Sequence, residues 1–239
     1  MPPASLRIDS RFRGPPNSGN GGYVCGLLAR ELGGSDCIVT LRQPPPLDAA
    51  LRLERADDSA SLMQGEELIG SAVRAAIVHE VPTPPGYDEA VEAESRFTGL
   101  RHHIFPGCFV CGLERGVGDG LRIFPGGVDG AGPRQVAAGW IPDDSLGDGA
   151  GLVRSEFVWA ALDCPGYFAV EDRAGIALLG RLGATLFRPL RVGEPVIVTG
   201  WAIESKGRKH RAGSALHDRS GALIAAGTAT WITLEAPLS

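Results

Sequence analysis

The sequence predicts an α+β fold in which a helix followed by an antiparallel meander occurs twice along the chain. Each copy begins with a glycine-rich loop and continues into a segment with helical spacing of apolar residues. Several strand-like segments follow, separated by glycine, proline and acidic turns, a pattern typical of antiparallel sheets. Because both halves show this order, we interpret the chain as an internal duplication.

In the first half, the loop Gly14–Gly22 precedes the helix Tyr23–Leu32, which Gly33 and Gly34 end. The strand-like segments that follow it are Cys37–Arg42, Leu47–Leu53, Ala60–Gln64 and Leu68–Val78. Prolines and the acidic run Asp88–Glu94 then predict a linker over residues 79–103, with at most two solvated helical turns. The predicted units are therefore residues 1–78 and 104–239.

In the second half, strand candidates at Leu121–Phe124 and Gln135–Trp140 precede the loop Gly147–Gly151 and a helix over Ser155–Asp163. Ser155 is a typical N-cap residue for that helix. Four further strand-like segments lie near Ile176–Phe187, Pro195–Glu204, His210–His217 and Leu223–Leu234.

Composition excludes several classes of protein. With 239 residues, 44% of them hydrophobic, the chain has ample material for a core and is not broadly disordered. The net charge of −5 argues against nucleic-acid binding. We find no membrane-length apolar run and no signal peptide, and five unevenly spaced cysteines indicate reduced thiols, so we expect a cytoplasmic protein without a membrane partner.

Short motifs resemble those of the hotdog fold, in which a curved antiparallel sheet wraps one central helix. The resemblance implies a tandem double hotdog, with the sheets of its two units joined edge to edge as in a hotdog dimer. Cys108-Phe-Val-Cys-Gly112 and Asp119-Gly-Leu-Arg122 resemble the opening segment of many hotdog thioesterase-superfamily proteins. Ala160–Asp163 resembles the helix that carries the catalytic Asp of phenylacetyl-CoA-type thioesterases, and Phe187–Leu190 resembles their next strand. Asn20–Tyr23 is closer to the acyl-CoA thioesterase II type of double hotdog.

Each half keeps a different part of the phenylacetyl-CoA-type motif, in which His-Gly-Gly begins the helix and an Asp follows nine positions after the His. The first half has Asn20-Gly21-Gly22 but Ala29 at the Asp position, whereas the second has Asp163 but Arg154 at the His position. Nine helical residues advance about 13.5 Å and turn about 900°, so one helix cannot aim both groups at one substrate. The resemblance implies that the groups meet across the two units.

We therefore predict one composite site, made of Asn20, Gly21, Gly22 and Asp163, and an inactive mirror-image site without an acid at Ala29 and Arg154. Backbone N–H groups near Gly22 and Tyr23 would form an oxyanion hole. The carboxylate of the composite site would act as a general base or as a nucleophile, and Asn20 would orient the water or the carbonyl. The predicted substrate-binding residues are Tyr23, Glu156, Trp159, Arg208 and Lys209.

Other roles remain open for several of these residues. Asp163 could instead brace the turn at Cys164-Pro165-Gly166, and Glu156 could be structural at the start of its helix. The run Lys206–Arg211 is either a solvated hairpin turn or a clamp for the phosphates of coenzyme A.

Cys108 and Cys111 have the CxxC spacing of metal and redox sites. Zinc needs four ligands, and although His102 or His103 and Cys164 could complete a set, the sequence has no second compact pair. We therefore predict no metal and no cofactor beyond the coenzyme A moiety of a substrate, and a packing or loop-stabilising role for the two thiols.

The resemblance favours an acyl-CoA thioesterase-like hydrolase acting on a small or medium acyl or aryl group. The alternative is a non-catalytic acyl or acyl-CoA binding protein, because the motif is incomplete in both halves; a ligand-free scaffolding subunit is the third hypothesis. The expected partner is a small-molecule acyl-CoA, and the double-hotdog chains could form a homo-oligomer.

Overall fold

The computed structural model describes residues 4–130 and 134–235, so residues 1–3, 131–133 and 236–239 of the two predicted units lie outside it. Its strands form one sheet. They are β1 (Ala4–Leu6), β2 (Cys37–Leu41), β3 (Leu51–Arg55), β4 (Ser59–Gln64), β5 (Glu67–Arg74), β6 (Gly126–Gly127), β7 (Gln135–Trp140), β8 (Ala177–Leu186), β9 (Val196–Lys206), β10 (Lys209–Asp218) and β11 (Leu223–Thr233). The helices are α1 (Gly21–Arg30), α2 (Tyr87–Ala93), α3 (Ser155–Ala161) and α4 (Cys164–Ala174).

The two halves of the sheet repeat one strand order. Across the sheet the order is β1-β3-β4-β5-β2-β8-β11-β10-β9-β7-β6, with antiparallel pairing between neighbours. Apart from the two-residue β6, strands β7 to β11 occupy the places of β1 to β5. The halves meet where β2 pairs with β8, with Cys37 opposite Ala184 and Thr40 opposite Arg181. The sheet is therefore continuous across the middle of the chain.

The helices α1 and α3 lie in close contact because two glycines of α1 face α3. A Cβ atom at Gly26 would lie 2.5 Å from the Cα of Glu156, and one at Gly22 would lie 2.6 Å from the Cβ of Asp163. Real Cβ atoms do not approach other atoms so closely, so only glycine permits this packing. The contact at Gly22 brings the N-terminal end of α1 to the C-terminal end of α3. The contact at Gly26 brings the middle of α1 to the N-terminal end of α3.

The second half contains two consecutive helices where the sequence predicts one. The predicted helix over residues 155–163 ends at Ala161, and α4 begins at Cys164 after Leu162 and Asp163. Pro165 lies in the first turn of α4, where it needs no N–H partner, but it cannot continue the hydrogen-bond ladder of α3. The prediction of a single helix in each unit is therefore wrong for the second half.

The segment 79–103 is more ordered than the predicted solvated linker. It contains α2 and two short 3-10 turns, with Ala90, Ala93 and Phe97 buried. The backbone of Ala93 lies so close to Gly126 of β6 that no side chain fits there. The helical turns are thus packed on the sheet edge rather than solvated, because their alanine face is apolar; the boundaries at residues 78 and 104 stay predictions.

The predicted strand Leu121–Phe124 is absent from the sheet, since it pairs with a loop instead. The N–H groups of Leu121 and Ile123 donate to the carbonyls of Phe109 and Val110, at 2.8 and 2.9 Å. These bonds hold the loop that carries Cys108 and Cys111. Among the described residues, no helix is both long and apolar enough to cross a membrane.

Candidate active site

The carboxylate of Asp163 joins the two halves of the chain. Its Oδ2 accepts a hydrogen bond of 2.8 Å from the Nδ2 of Asn20 and one of 2.9 Å from the backbone N–H of Gly22. Asn20 and Gly22 lie at the N-terminal end of α1, whereas Asp163 lies between α3 and α4. The structure thus brings together the residues that the sequence analysis combined into one composite site.

The position of Asn20 follows from its role as the N-cap of α1. Its Oδ1 accepts the backbone N–H of Tyr23 at 2.9 Å, as N-cap side chains commonly do. With Oδ1 engaged in this way, the amide turns its Nδ2 toward Asp163. Helix capping by the Oδ1 of Asn20 therefore orients the Nδ2 of the same side chain, which donates a hydrogen bond to the carboxylate of Asp163.

The environment of Asp163 raises the pKa of its carboxyl from 3.8 to about 7. Burial is the main cause, because the side chain is only 2% exposed and the charged form loses its hydration. Hydrogen bonds from Gly22 and Asn20 favour the charged form and oppose this rise, while the nearby Cys108 adds to it. A carboxyl with a pKa near 7 can take up and release a proton at neutral pH.

The second oxygen of Asp163, Oδ1, is buried and makes no hydrogen bond within the described part of the chain. The side chain also makes no capping bond to α4, although Asp163 precedes that helix. These two observations argue against the alternative that Asp163 braces the Cys164-Pro165-Gly166 turn. Its hydrogen bonds point to α1 instead.

A cavity of about 750 Å³ opens beside the composite site, and Asn20, Gly21 and Asp163 form part of its wall. Both halves of the chain contribute further wall residues, and most of these are apolar. They include Leu41, Pro44 and Pro45 from the first half and Phe105, Tyr167, Phe168, Leu179, Trp231 and Ile232 from the second. The cavity can therefore hold an apolar group against the carboxylate.

The backbone N–H groups that were predicted to form the oxyanion hole are engaged. The Gly22 N–H donates to Asp163, and the Tyr23 N–H donates to Asn20. Of the N–H groups of Gly21, Gly22 and Tyr23, only that of Gly21 makes no hydrogen bond to any described residue. The prediction for Gly22 and Tyr23 is corrected accordingly, because the carboxylate and the cap amide occupy these donors first.

Three of the predicted substrate-binding residues lie in the core, away from the cavity wall. The ring of Tyr23 stacks on Phe12 with centroids 4.3 Å apart, and burial raises the pKa of its hydroxyl to about 12. Trp159 is fully buried and donates its ring N–H to the carbonyl of Gly34 at 2.9 Å. These aromatic rings, and the carboxylate of Glu156, support the helices rather than a ligand.

Glu156 also corrects the predicted mirror-image site. Its carboxylate is 2% exposed, lies 2.9 Å from Arg30 and 3.9 Å from Arg154, and does not line the cavity. The predicted mirror-image site therefore contains a carboxylate, that of Glu156, which the prediction left out. Arg30 and Arg154 lie beside this carboxylate and neutralise its charge.

Arg208 and Lys209 lie at the exposed hairpin between β9 and β10, outside the cavity wall. Arg208 donates to the carbonyl of Thr233 at 3.0 Å and forms an exposed ion pair of 2.9 Å with Glu235. The predicted role of these two cations as a clamp for the phosphates of coenzyme A stays a prediction.

Sequence reasoning missed the contribution of α4 to the cavity, through Cys164, Tyr167 and Phe168. Pro165 and Gly166 were interpreted as a turn, but proline is also common in the first turn of a helix. The apolar residues Tyr167, Val170 and Ala174 beyond them, spaced at i, i+3 and i+7, were the signal for this helix.

Cys108, Cys111 and Cys164 lie together at the cavity wall and form the group of side chains that could hold a metal ion. His103 is engaged elsewhere, because its Nε2 lies 3.0 Å from the carbonyl of Cys111 and its Nδ1 accepts the N–H of Phe105 at 3.0 Å. It is therefore unavailable as the further ligand that the sequence analysis considered.

No protein-family model and no curated protein sequence matches this chain. Solved structures do match it over nearly its whole length. A protein of unknown function from Alicyclobacillus acidocaldarius, described as having a hot dog fold, has 12% identity and a TM-score of 0.65 over 98% of this chain and 93% of its own. The chain has the hotdog fold.

Two other structural neighbours carry descriptions that name an activity or a type. A provisionally assigned thioesterase from Novosphingobium aromaticivorans has 12% identity and a TM-score of 0.65, over 96% of this chain and 94% of its own. The tesB protein of Mycobacterium avium subs paratuberculosis has 13% identity and a TM-score of 0.61, over 96% and 92%. At these identities the comparisons establish the hotdog fold and leave the activity to be argued from the site.

Proposed function

We propose that this protein hydrolyses acyl-CoA thioesters at the composite site of Asn20, Gly21, Gly22 and Asp163. The observation that supports it most directly is the buried Asp163 carboxylate, which accepts hydrogen bonds from Asn20 and Gly22 at the wall of an apolar cavity. The repeated strand order is the basis for proposing a double hotdog that arose by tandem duplication. The site would then lie between its two units.

In the proposed reaction, a water molecule in the cavity donates a hydrogen bond to the free Oδ1 of Asp163. The carboxylate takes a proton from this water while the water oxygen attacks the carbonyl carbon of the thioester. The N–H of Gly21 stabilises the negative charge that develops on the carbonyl oxygen. The carbon–sulfur bond then breaks, and the proton on Asp163 passes to the coenzyme A sulfur, giving a carboxylic acid and a free thiol.

The cavity favours a small or medium acyl or aryl group. Its volume of about 750 Å³ lies within the range of small-molecule sites, and its wall is largely apolar. Tyr167, Phe168 and Trp231 offer aromatic surfaces to an acyl chain or ring. The nucleotide end of coenzyme A would remain outside, where Arg208 and Lys209 of the β9–β10 hairpin are exposed.

Release of free thiol from a panel of acyl-CoAs tests this proposal. The purified protein should hydrolyse at least one short, medium or aromatic acyl-CoA, and thermal-shift measurements should show stabilisation by the same compound. Absence of hydrolysis across the panel would contradict the proposal.

A second candidate is a non-catalytic acyl-CoA binding protein. One observation favours it: two of the N–H groups in the first turn of α1 are engaged by Asp163 and Asn20, which leaves one donor for an oxyanion. Stabilisation by acyl-CoA without thiol release would identify this function. We further propose a cytoplasmic location, because the five cysteines are free thiols.

A further inference from the structure

Three cysteines from two separate segments converge at the cavity wall. The Sγ atom of Cys164 lies 3.3 Å from that of Cys111 and 3.8 Å from that of Cys108, and all three sulfurs lie within 4.8 Å of one another. All three residues are buried, with their thiols free. We call this group the thiol cluster.

The sulfur spacing fits coordination of one metal ion. A zinc–sulfur bond is about 2.3 Å long, so sulfurs at two corners of a tetrahedron around zinc are about 3.8 Å apart. A disulfide would require about 2.05 Å. The two distances from the sulfur of Cys164, 3.3 Å to Cys111 and 3.8 Å to Cys108, lie nearer to the tetrahedral value than to the disulfide length.

The turn that holds the first two thiols depends on a glycine. The N–H of Gly112 donates to the carbonyl of Cys108 at 2.9 Å, and a Cβ atom at Gly112 would lie 2.4 Å from that same oxygen. Only glycine therefore closes this C-x-x-C-G turn, which brings Cys108 and Cys111 to one side of the loop. Two-residue spacing of this kind is typical of zinc ligands.

Two polar features lie beside the sulfurs of the thiol cluster. Cys164 is the first residue of the eleven-residue α4, where the helix dipole favours negative charge. The Nδ2 of Asn20 lies 3.9 Å from the sulfur of Cys108 and can donate to it.

We propose that Cys108, Cys111 and Cys164 bind one Zn²⁺ ion as thiolates, with the fourth coordination position open to the cavity. Within residues 4–130 and 134–235, no histidine or carboxylate atom completes the group. Water or a ligand in the cavity would therefore occupy the fourth position, as in zinc sites that keep an open position. This inference replaces the expectation of no metal, and it does not depend on thioester hydrolysis.

Metal analysis of the full chain, produced with zinc in the medium, tests the inference. Elemental analysis should find about one zinc per chain after gel filtration. The metal-free protein should take up one equivalent of Co²⁺ and show the sulfur-to-cobalt charge-transfer absorption of a tetrahedral thiolate site. Two single variants, Cys111→Ser and Cys164→Ser, should each lose at least tenfold in zinc affinity.

Matched controls are available in the same chain. Cys25 and Cys37 are also buried free cysteines but lie outside the thiol cluster, so C25A and C37A should retain the zinc. Wild-type protein that takes up neither zinc nor cobalt would overturn the proposal, whatever the behaviour of the variants. Mass spectrometry that finds a disulfide between two cluster cysteines in freshly purified protein would also overturn it.

Discussion

The raised pKa of Asp163 predicts that this carboxylate makes folding stability fall as pH increases. In the unfolded chain the carboxyl loses its proton near pH 3.8, whereas in the folded protein it keeps the proton up to about pH 7. Between these values the unfolded state binds fewer protons, so stability decreases as pH rises and levels off above about pH 7. A difference of about three pKa units corresponds to about 4 kcal/mol.

The variant Asp163→Asn should remove this dependence because an amide does not ionise. Its Oδ1 can still accept the hydrogen bonds of Asn20 and Gly22, while its N–H₂ group occupies the unpartnered position at a constant cost. The free energy of unfolding of D163N, minus that of the wild type, should therefore increase by about 3 kcal/mol between pH 5 and pH 8.5.

Urea unfolding of both proteins across this pH range measures the difference, with the m-value checked for each. Both proteins are prepared free of metal, because a cation at the neighbouring Cys164 would itself lower the pKa of Asp163. The absolute stability of D163N matters less than its change with pH, because the constant cost of the amide cancels. Parallel stability curves for the two proteins would refute the reasoning, since they would mean that the folded carboxyl of Asp163 ionises as readily as the unfolded one.

Three further predictions concern the composite site and its surroundings. First, kcat/KM should rise with pH and level off above about pH 7, because hydrolysis needs the ionised carboxylate; a pH-independent rate would count against a general base. Second, Gly22→Ala should destabilise the protein by about 1–3 kcal/mol, since its methyl group would meet the backbone oxygen of Trp159 at 2.8 Å. Chemical unfolding measures this, and Gly116→Ala, with open space around it, is the control. Third, replacing Arg208 and Lys209 with Ala should weaken coenzyme A binding most at low salt. Calorimetry at low salt measures the affinity for coenzyme A, and the exposed control Arg55→Ala should leave this affinity unchanged. If the change at Arg208 and Lys209 also leaves it unchanged, the hairpin is a solvated turn and not a clamp.

The sequence contained the local signals for α1 and for most strands. The glycines before α1 and the turn residues between strands have local causes, so elements such as Cys37–Leu41 and Ser59–Gln64 lie close to their predicted ranges. The helix α4 was missed because Pro165 and Gly166 are equally typical of a turn and of a first helical turn. Tertiary context decides between them, since α4 is covered by the strands of the second half.

The site was predictable only in part for a related reason. The motif offset pointed to Asn20 and Asp163, but nothing local shows which N–H groups remain free once the carboxylate is in place. The burial of Tyr23 and Trp159 also depends on helix packing, where Gly22 and Gly26 bring α1 against α3. Likewise, Cys164 joins Cys108 and Cys111 only through a contact between residues more than fifty positions apart.

The central claim is that the Asp163 carboxylate performs the hydrolysis, and the matched pair D163N and E156Q tests it most directly. Both residues are buried carboxylates beside α1, but only Asp163 lines the cavity. On the best acyl-CoA of the panel, D163N should lower kcat at least about 100-fold while acyl-CoA binding persists. E156Q loses the charge of a buried ion pair with Arg30, which lowers stability. Because Glu156 does not line the cavity, E156Q should keep kcat within about threefold of the wild type. Wild-type turnover by D163N would contradict the account.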